Sequence, residues 1–457
     1  MTVIGGGLAG AEAAWQLAVR GIPVDLYEMR PAVMGPAHHT GWIAELVCSN
    51  SLKGTDPDTP AGMVKRELDA MGSMLLATAR TCAVPAGAAL AVDRDRFSAA
   101  VTARLEALGE VTVRREELRE LPTSGPVIVA TGPLTSDALA RSLNDVIGAD
   151  RLAFYDAAAP IVDATTIDRS RVFAASRYGK GSGADYLNAP LEREEYERFH
   201  AALVAGERVT AKDFETADLF QACQPVEEIA RRGIDALRFG PLKPVGLTDP
   251  ATGRRPWAVV QLRPENRDHT AYNLVGFQTN LTFSAQRSVF RLIPGLESAE
   301  FLRYGVMHRN TFVDAPRLLD GTFAVRSDPR IRIAGQLAGT EGYLEAVAGG
   351  LIAALGFAAE ASGVEAPTLP AETALGSLVR YATDPATYPY QPMHANAGLF
   401  PPLDPPVRGK RPRYAAYAAR GALALARWTE AHAALLAPAL MALAGDTAGG
   451  DRRDAGA

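Results

Sequence analysis

A chain of 457 residues can hold two or three domains with sizeable cores. Its hydrophobic share of 47%, charged share of 22% and formal charge of −5 are those of a globular protein without a global polycation, so any nucleic-acid contact must come from a local basic patch. Three cysteines (Cys48, Cys82, Cys223) without a C-x-x-C pair argue against a disulfide framework and against a zinc site.

Thr2-Val3-Ile4 is a β-branched run that leads into Gly5-Gly6-Gly7-Leu8-Ala9-Gly10, a G-x-G-x-x-G pattern. In a dinucleotide fold these glycines serve a tight turn, backbone approach to a pyrophosphate, and close helix–strand packing. A helix to Ala18 follows, Gly21-Ile22-Pro23 stops it, and Val24-Asp25-Leu26-Tyr27 is the next strand. Glu28 closes that strand eighteen positions beyond Gly10, where a carboxylate takes ribose hydroxyls. Because the first strand begins at residue 2 there is no room for a signal peptide, no apolar run reads as membrane-spanning, and a reducing cytoplasm is expected.

Residues 30–60 read as a functional loop that carries Cys48. Its His38-His39 pair lacks a third ligand at metal spacing and is expected to be solvated; no metal is expected. Residues 63–81 predict one helix, 89–92 a strand, 95–108 a helix, and 111–113 and 127–129 further strands. The last strand enters Ala130-Thr131-Gly132-Pro133, a second strand-to-glycine turn suited to a nucleotide. From about residue 177 the α/β rhythm breaks, and it resumes with a strand at 330–337, a turn containing Gly335, Glu341 and Tyr343, and an Ala-rich helix at 344–360. A late strand–turn–helix of this kind closes over a flavin. The predicted architecture is α/β: a Rossmann-like FAD-binding domain (1–176 and 310–380) interrupted by a smaller α+β insertion domain (177–309), then a C-terminal segment (381–457). In that segment Arg408, Lys410, Arg411 and Arg413, interleaved with Tyr414 and Tyr417, suit phosphate contact with base stacking, and equally a solvated face. A helix is predicted to run on to Leu443, with a disordered tail from Gly449. Arg303, His308 and Arg309 form a second, weaker basic patch.

Four stretches occur in one order: the glycine motif with its helix, Glu45-Leu46-Val47-Cys48-Ser49-Asn50-Ser51, Phe220-Gln221-Ala222-Cys223-Gln224-Pro225-Val226-Glu227-Glu228, and Gly335-Gln336-Leu337-Ala338-Gly339-Thr340-Glu341-Gly342-Tyr343. On these the chain resembles the bacterial folate- and FAD-dependent tRNA (uracil-5-)-methyltransferase family, TrmFO, over nearly its whole length. The first stretch is shared with many flavoproteins and the last with the GidA/MnmG family, so the two cysteine motifs are the specific part. One departure is that a single residue precedes the first strand.

The resemblance implies formation of ribothymidine in the T-loop of tRNA, with methylenetetrahydrofolate as carbon donor, FAD as cofactor and NAD(P)H as reductant. Uracil C5 is barely nucleophilic; a thiolate added to C6 makes it an enolate carbon, after which a base removes the C5 proton and a hydride completes the methyl group. Cys223, just ahead of a helix that Pro225 would begin, suits the nucleophile, although Glu227 and Glu228 oppose thiolate formation. The family pattern puts Cys48 at the flavin site as the base; the two roles could be exchanged, and Cys82 reads as structural. Glu341 and Tyr343 suit flavin or folate contact, or packing. A GidA-like uridine modifier, a small-molecule flavin oxidoreductase and a non-catalytic tRNA-binding scaffold remain open on these residues alone.

Overall fold

The computed structural model describes residues 1–35, 37–148, 156–180, 183–209, 224–264, 269, 271–308, 311–387, 390 and 392–450. Its first sheet has six strands in the spatial order 324–325, 328–333, 127–129, 2–4, 24–27, 111–114. All neighbours are parallel except the edge pair 324–325 with 328–333. A parallel sheet is covered on both faces, so its central strands must be apolar throughout. Val3, Ile4, Val127, Ile128, Val129, Ile331 and Ile333 accordingly lie in the core. The strand at 2–4 has 24–27 on one side and 127–129 on the other, which makes it the switch point where such sheets open a crevice beyond their carboxyl ends. Residues 5–10 and 130–136 face each other across it.

The helix Leu8–Ala18 is buried along its whole length and packs on the core helix Tyr343–Ala361. Close approach demands glycine. A Cβ at Gly10 would overlap the Gly5 carbonyl, and one at Gly350 would overlap the Ala9 carbonyl. By length and composition Tyr343–Ala361 could cross a membrane, contrary to the expectation that no run was apolar enough; 89% of its most apolar stretch is buried inside the protein, where it serves as the central core helix.

A second six-stranded sheet is antiparallel, in the order 173–174, 187–191, 258–264, 271–274, 161–163, 301–303. It has its own core, in which Tyr196, Phe199 and Leu203 of the helix Arg193–Ala205 pack among Val260, Leu274, Phe277 and Phe290. Strands 161–163 and 173–174 precede residue 177, so this unit starts earlier than the loss of α/β rhythm suggested. A two-stranded ribbon, 156–158 paired with 306–308, marks where the chain enters and leaves it. Short strands give little periodic signal, which is why this edge was displaced.

Other elements are shorter than expected. The single helix predicted over 63–81 is two, Pro60–Ala70 and Met74–Thr81, capped by Thr59 and Ser73 and separated at Gly72 with φ +72°. The late helix is likewise divided, into Lys410–Ala431 and Ala433–Gly450. Tyr417, Leu425, Trp428 and Leu436 belong to the first core, so the C-terminal segment folds onto the parallel-sheet unit. The expected disordered tail meets helix at residues 449 and 450 and otherwise lies outside the described residues.

Candidate active site

The crevice beyond strand 2–4 opens into a cleft lined by Gly5, Gly7, Glu28, His38, Thr131 and Thr135, among others. Gly7 caps the helix Leu8–Ala18 without a side chain, and the first intrahelical bond runs from Ala11 N–H to the Gly7 carbonyl, 2.9 Å. The amides at the helix start are therefore unbonded within it and carry the positive end of the helix dipole. A Cβ at Gly7 would meet nothing within 4 Å, so the backbone lies open to a ligand there. Leu8 and Ala9 are buried behind Gly7 and do not line the cleft. On the opposite wall Thr131 shares a 2.6 Å hydrogen bond with Thr135, and Gly132 turns the chain at φ +66°. A bare helix N-terminus facing a ribose-height carboxylate fits a dinucleotide diphosphate.

That carboxylate is Glu28. It is 5% exposed and accepts the Gly6 N–H at 2.9 Å and the Arg30 Nε at 2.8 Å. Burial alone would raise its pKa; the hydrogen bonds and charge of Arg30, with the Gly6 amide, overcome this and hold it below the ordinary value. Arg30, 1% exposed, also reaches Glu45 at 2.8 Å, and Glu45 accepts the amides of His39 (2.8 Å) and Thr40 (3.2 Å). The loop is thus fastened to the Glu28 end of the cleft. His38 corrects the expectation of a solvated pair. Burial, reinforced by the Arg30 charge, pushes its imidazole down to about 4, so the ring in the cleft wall is neutral, whereas His39 is exposed.

Cys48 lies further along this loop, half-buried. The Tyr343 hydroxyl accepts the backbone N–H of Cys48 at 2.8 Å and of Ser49 at 3.1 Å. Burial, with the Cys48 thiol second, raises the Tyr343 phenol, which stays protonated. Arg263 donates to the Ser49 hydroxyl at 2.6 Å, and Asn50 donates to the Pro264 carbonyl at 2.8 Å. Since residues 263 and 264 belong to the second sheet, the cysteine stands at the seam between the two sheets. Just beyond, Lys53 pairs with buried Glu345 at 2.6 Å, while Lys65 donates to the carbonyls of Leu52 (2.6 Å) and Gly54 (2.8 Å). Burial brings the Lys65 amine down to about 8. Glu341, partly exposed, joins the Met393 carbonyl through its own amide at 3.0 Å. Gly335 starts a short turn whose carbonyl accepts Thr340 Oγ1 at 2.9 Å.

Cys82 is buried at the end of Met74–Thr81, away from the cleft lining. Cys223 lies outside the described residues. The helix after it is Val226–Arg231, with Pro225 as its cap rather than its first residue. Glu227 turns into the core, where it accepts Thr279 Oγ1 (2.7 Å) and the Asn280 amide (2.6 Å), and burial raises its carboxyl. Glu228 pairs with Arg208 at 2.6 Å. Both acids therefore have partners of their own.

Arg408, Lys410, Arg411 and Arg413 are exposed around the start of Lys410–Ala431, which has no acidic residue in its first turn. Cations there oppose the helix dipole, an arrangement that an incoming anion would relieve. Lys410 lies 5.5 Å from the Tyr414 ring. Tyr417 cannot stack on a base: it is 9% exposed and packs edge-on against Phe400 at 5.1 Å. In the second basic patch Arg309 is outside the described residues, and Arg303 and His308 are described as backbone strand alone.

The parallel sheet, its glycine cradle and the braced cysteine loop define an FAD-binding enzyme with an inserted antiparallel domain. Residues 1–365 match the family described as Glucose inhibited division protein A. A Moorella thermoacetica protein named methylenetetrahydrofolate--tRNA-(uracil-5-)-methyltransferase TrmFO is 55% identical over 418 residues, 92% of this chain and 95% of that protein. A Geobacter sulfurreducens protein of the same name is 55% identical over 428 residues, 94% of this chain and 98% of that protein. The chain belongs to the TrmFO family. Among solved structures, Aquifex aeolicus GidA in its form I crystal matches with a TM-score of 0.69 at 18% identity, over 95% of this chain and 75% of that chain, a likeness of fold alone.

Proposed function

We propose that this protein methylates C5 of the T-loop uridine of tRNA, forming ribothymidine, with methylenetetrahydrofolate as carbon donor and NAD(P)H as the source of reducing power. The observation that carries the reading is the Cys48 loop: one end is fastened to the ribose carboxylate through Glu45 and Arg30, the other to the core helix through Tyr343, so that a thiol is held between the dinucleotide unit and the insertion. Identity of 55% to proteins carrying the TrmFO name, against 18% to GidA, favours methyl transfer over a GidA-like modification. A cytoplasmic location follows from the substrate.

In this reading reduced FAD, when bound, supplies the hydride that turns an exocyclic methylene on C5 into methyl. The chain's own residues do the rest. Gly5, Gly6, Gly7, Gly10 and Gly132 shape the diphosphate cradle, Leu8 and Ala9 back it, and Glu28 gives the ribose contact. The Cys223 thiolate adds to C6 and is expelled at the end, restoring the ring double bond. Cys48 takes the C5 proton, and the protonated Tyr343 keeps that thiol's backbone in place. Arg408, Lys410, Arg411 and Arg413 contact phosphates.

The test is trapping. T-loop RNA carrying 5-fluorouridine has no C5 proton to lose, so the C6 adduct cannot collapse. Cys223→Ala should abolish both adduct and methylation; Cys48→Ala should abolish methylation while still trapping RNA; Cys82→Ala should do neither. Loss of the adduct in Cys48→Ala with retention in Cys223→Ala reverses the two roles, and normal trapping by all three variants refutes thiol catalysis.

A further inference from the structure

The insertion domain carries three aromatic rings that lie nearly face to face. Phe301 and Tyr304 are 5.4 Å apart with an 18° interplanar angle, and Tyr304 and Phe283 are 4.9 Å apart at 17°. The inner end is rooted in the core, where Phe301 meets Phe290 at 6.3 Å. The outer end is open, Phe283 being 56% exposed. Several large apolar side chains are exposed among the described residues; what sets Phe283 apart is the ordered stack of rings beneath it, which presents one flat aromatic face to solvent. Arg287, one turn along the same helix, donates Nε to the Tyr304 hydroxyl at 2.9 Å and lies 5.9 Å from that ring. Among the described residues no carboxylate pairs with Arg287; Glu207 accepts the hydroxyl of Thr282, the residue before Phe283, at 3.4 Å.

The position of this stack matters as much as its geometry. Val209 N–H bonds to the Asn280 carbonyl at 2.9 Å, and Val226 N–H bonds to the Gln278 carbonyl at 2.7 Å. Residues 209 and 226 bracket the segment that carries Cys223, and both are pinned to the stretch that runs directly into Phe283. Phe283 thus directly follows the stretch to which both flanks of that segment are tied.

We propose that the outer face of Phe283, with Arg287 at its edge, is a stacking platform for an unpaired T-loop nucleobase flanking the methylated uridine. A pre-stacked ring loses little freedom on binding, every base offers a π-face, and the Arg287 guanidinium, whose Nε alone is engaged by Tyr304, meets the adjoining phosphate through its remaining N–H groups. The proposal rests on the tRNA reading above and adds a specific contact to it.

The experiment uses full-length enzyme with a T-loop hairpin in which 2-aminopurine replaces each unpaired base in turn, together with steady-state methylation. Phe283→Ala should raise the RNA KM roughly 5- to 150-fold. Phe283→Trp should restore it, and one 2-aminopurine position should lose its quenching in Phe283→Ala and regain it in Phe283→Trp. Flavin content and thermal unfolding check that variants fold; if Phe283→Ala does not, Phe283→Leu, apolar without a π-face, takes its place. Full rescue by Phe283→Leu overturns stacking. An unchanged KM with wild-type methylation overturns the platform and leaves the tRNA reading standing, as does a smaller sedimenting species at unchanged KM, which assigns the patch to contact between copies. Wild-type enzyme that neither binds nor methylates the hairpin refutes the underlying reading instead.

Discussion

Tyr343→Phe removes one oxygen and keeps the ring, so it isolates the clamp on the cysteine loop. That oxygen accepts two backbone amides, from Cys48 at 2.8 Å and Ser49 at 3.1 Å. Leaving a buried donor unsatisfied costs about 1–3 kcal/mol. Cys48 and Ser49 are half-buried, so water reaches the released amides and the low end applies, about 2 kcal/mol for the pair. At 1.36 kcal/mol per factor of ten, this lowers the ratio of correctly placed to displaced loop by roughly 30-fold. The assay is single-turnover methylation of T-loop RNA at saturating FAD, paired with the rate at which iodoacetamide modifies Cys48. Turnover should fall by up to about 30-fold, while alkylation of Cys48 speeds up and RNA affinity holds. Turnover and alkylation both within twofold of wild type would mean that the hydroxyl does not position the loop.

Glu67 is buried, accepts the amides of Ala374 and Leu375 at 2.7 Å each, and is pushed by burial from an ordinary 4.5 up to about 7. Stability from its protonated form is fully present below pH 4.5 and is lost as the pH rises through about 7, so Glu67→Gln should flatten the fall in melting temperature across that window; an unchanged pH profile would contradict it. Gly350→Ala drives a methyl into the Ala9 carbonyl behind the cradle, at about 1–3 kcal/mol for overpacking. Purified protein should then carry less flavin by absorbance, and full flavin occupancy would show that the helix pair can yield. Neutralising Arg408, Lys410, Arg411 and Arg413 together should weaken tRNA binding and flatten its dependence on salt by about one slope unit per lost phosphate contact, with flavin content unchanged. An unaltered slope returns the cluster to ordinary surface.

Features with a local signature were legible in the sequence. The glycine cradle, Glu28 and the central strands follow from contiguous residues and a fixed spacing, and they occupy the expected places. The braces did not announce themselves. Tyr343 meets Cys48 across 295 positions and Arg263 meets Ser49 across 214, pairings that leave no periodicity in either partner's neighbourhood. Arg30 and Glu45 were equally silent, since a charged residue in a polar loop looks solvated until the fold buries it. The His38-His39 dipeptide misled for the same reason: His38 lines the cleft while His39 stays exposed. Tyr417 failed in the opposite direction: a tyrosine beside arginines reads as a stacking ring, yet helical phase turns it toward Phe400.

Arg30 joins two carboxylates that belong to different elements, one at the end of strand 24–27 in the cleft wall and one on the cysteine loop. The three positions therefore form a single electrostatic unit. Loss of Glu28 or Glu45 leaves the buried guanidinium one carboxylate short, and loss of Arg30 removes the cation that both acids share, so a change made for one end of the unit is felt at the other. An engineer who seeks a different nucleotide at this end of the molecule therefore has to treat the three positions together.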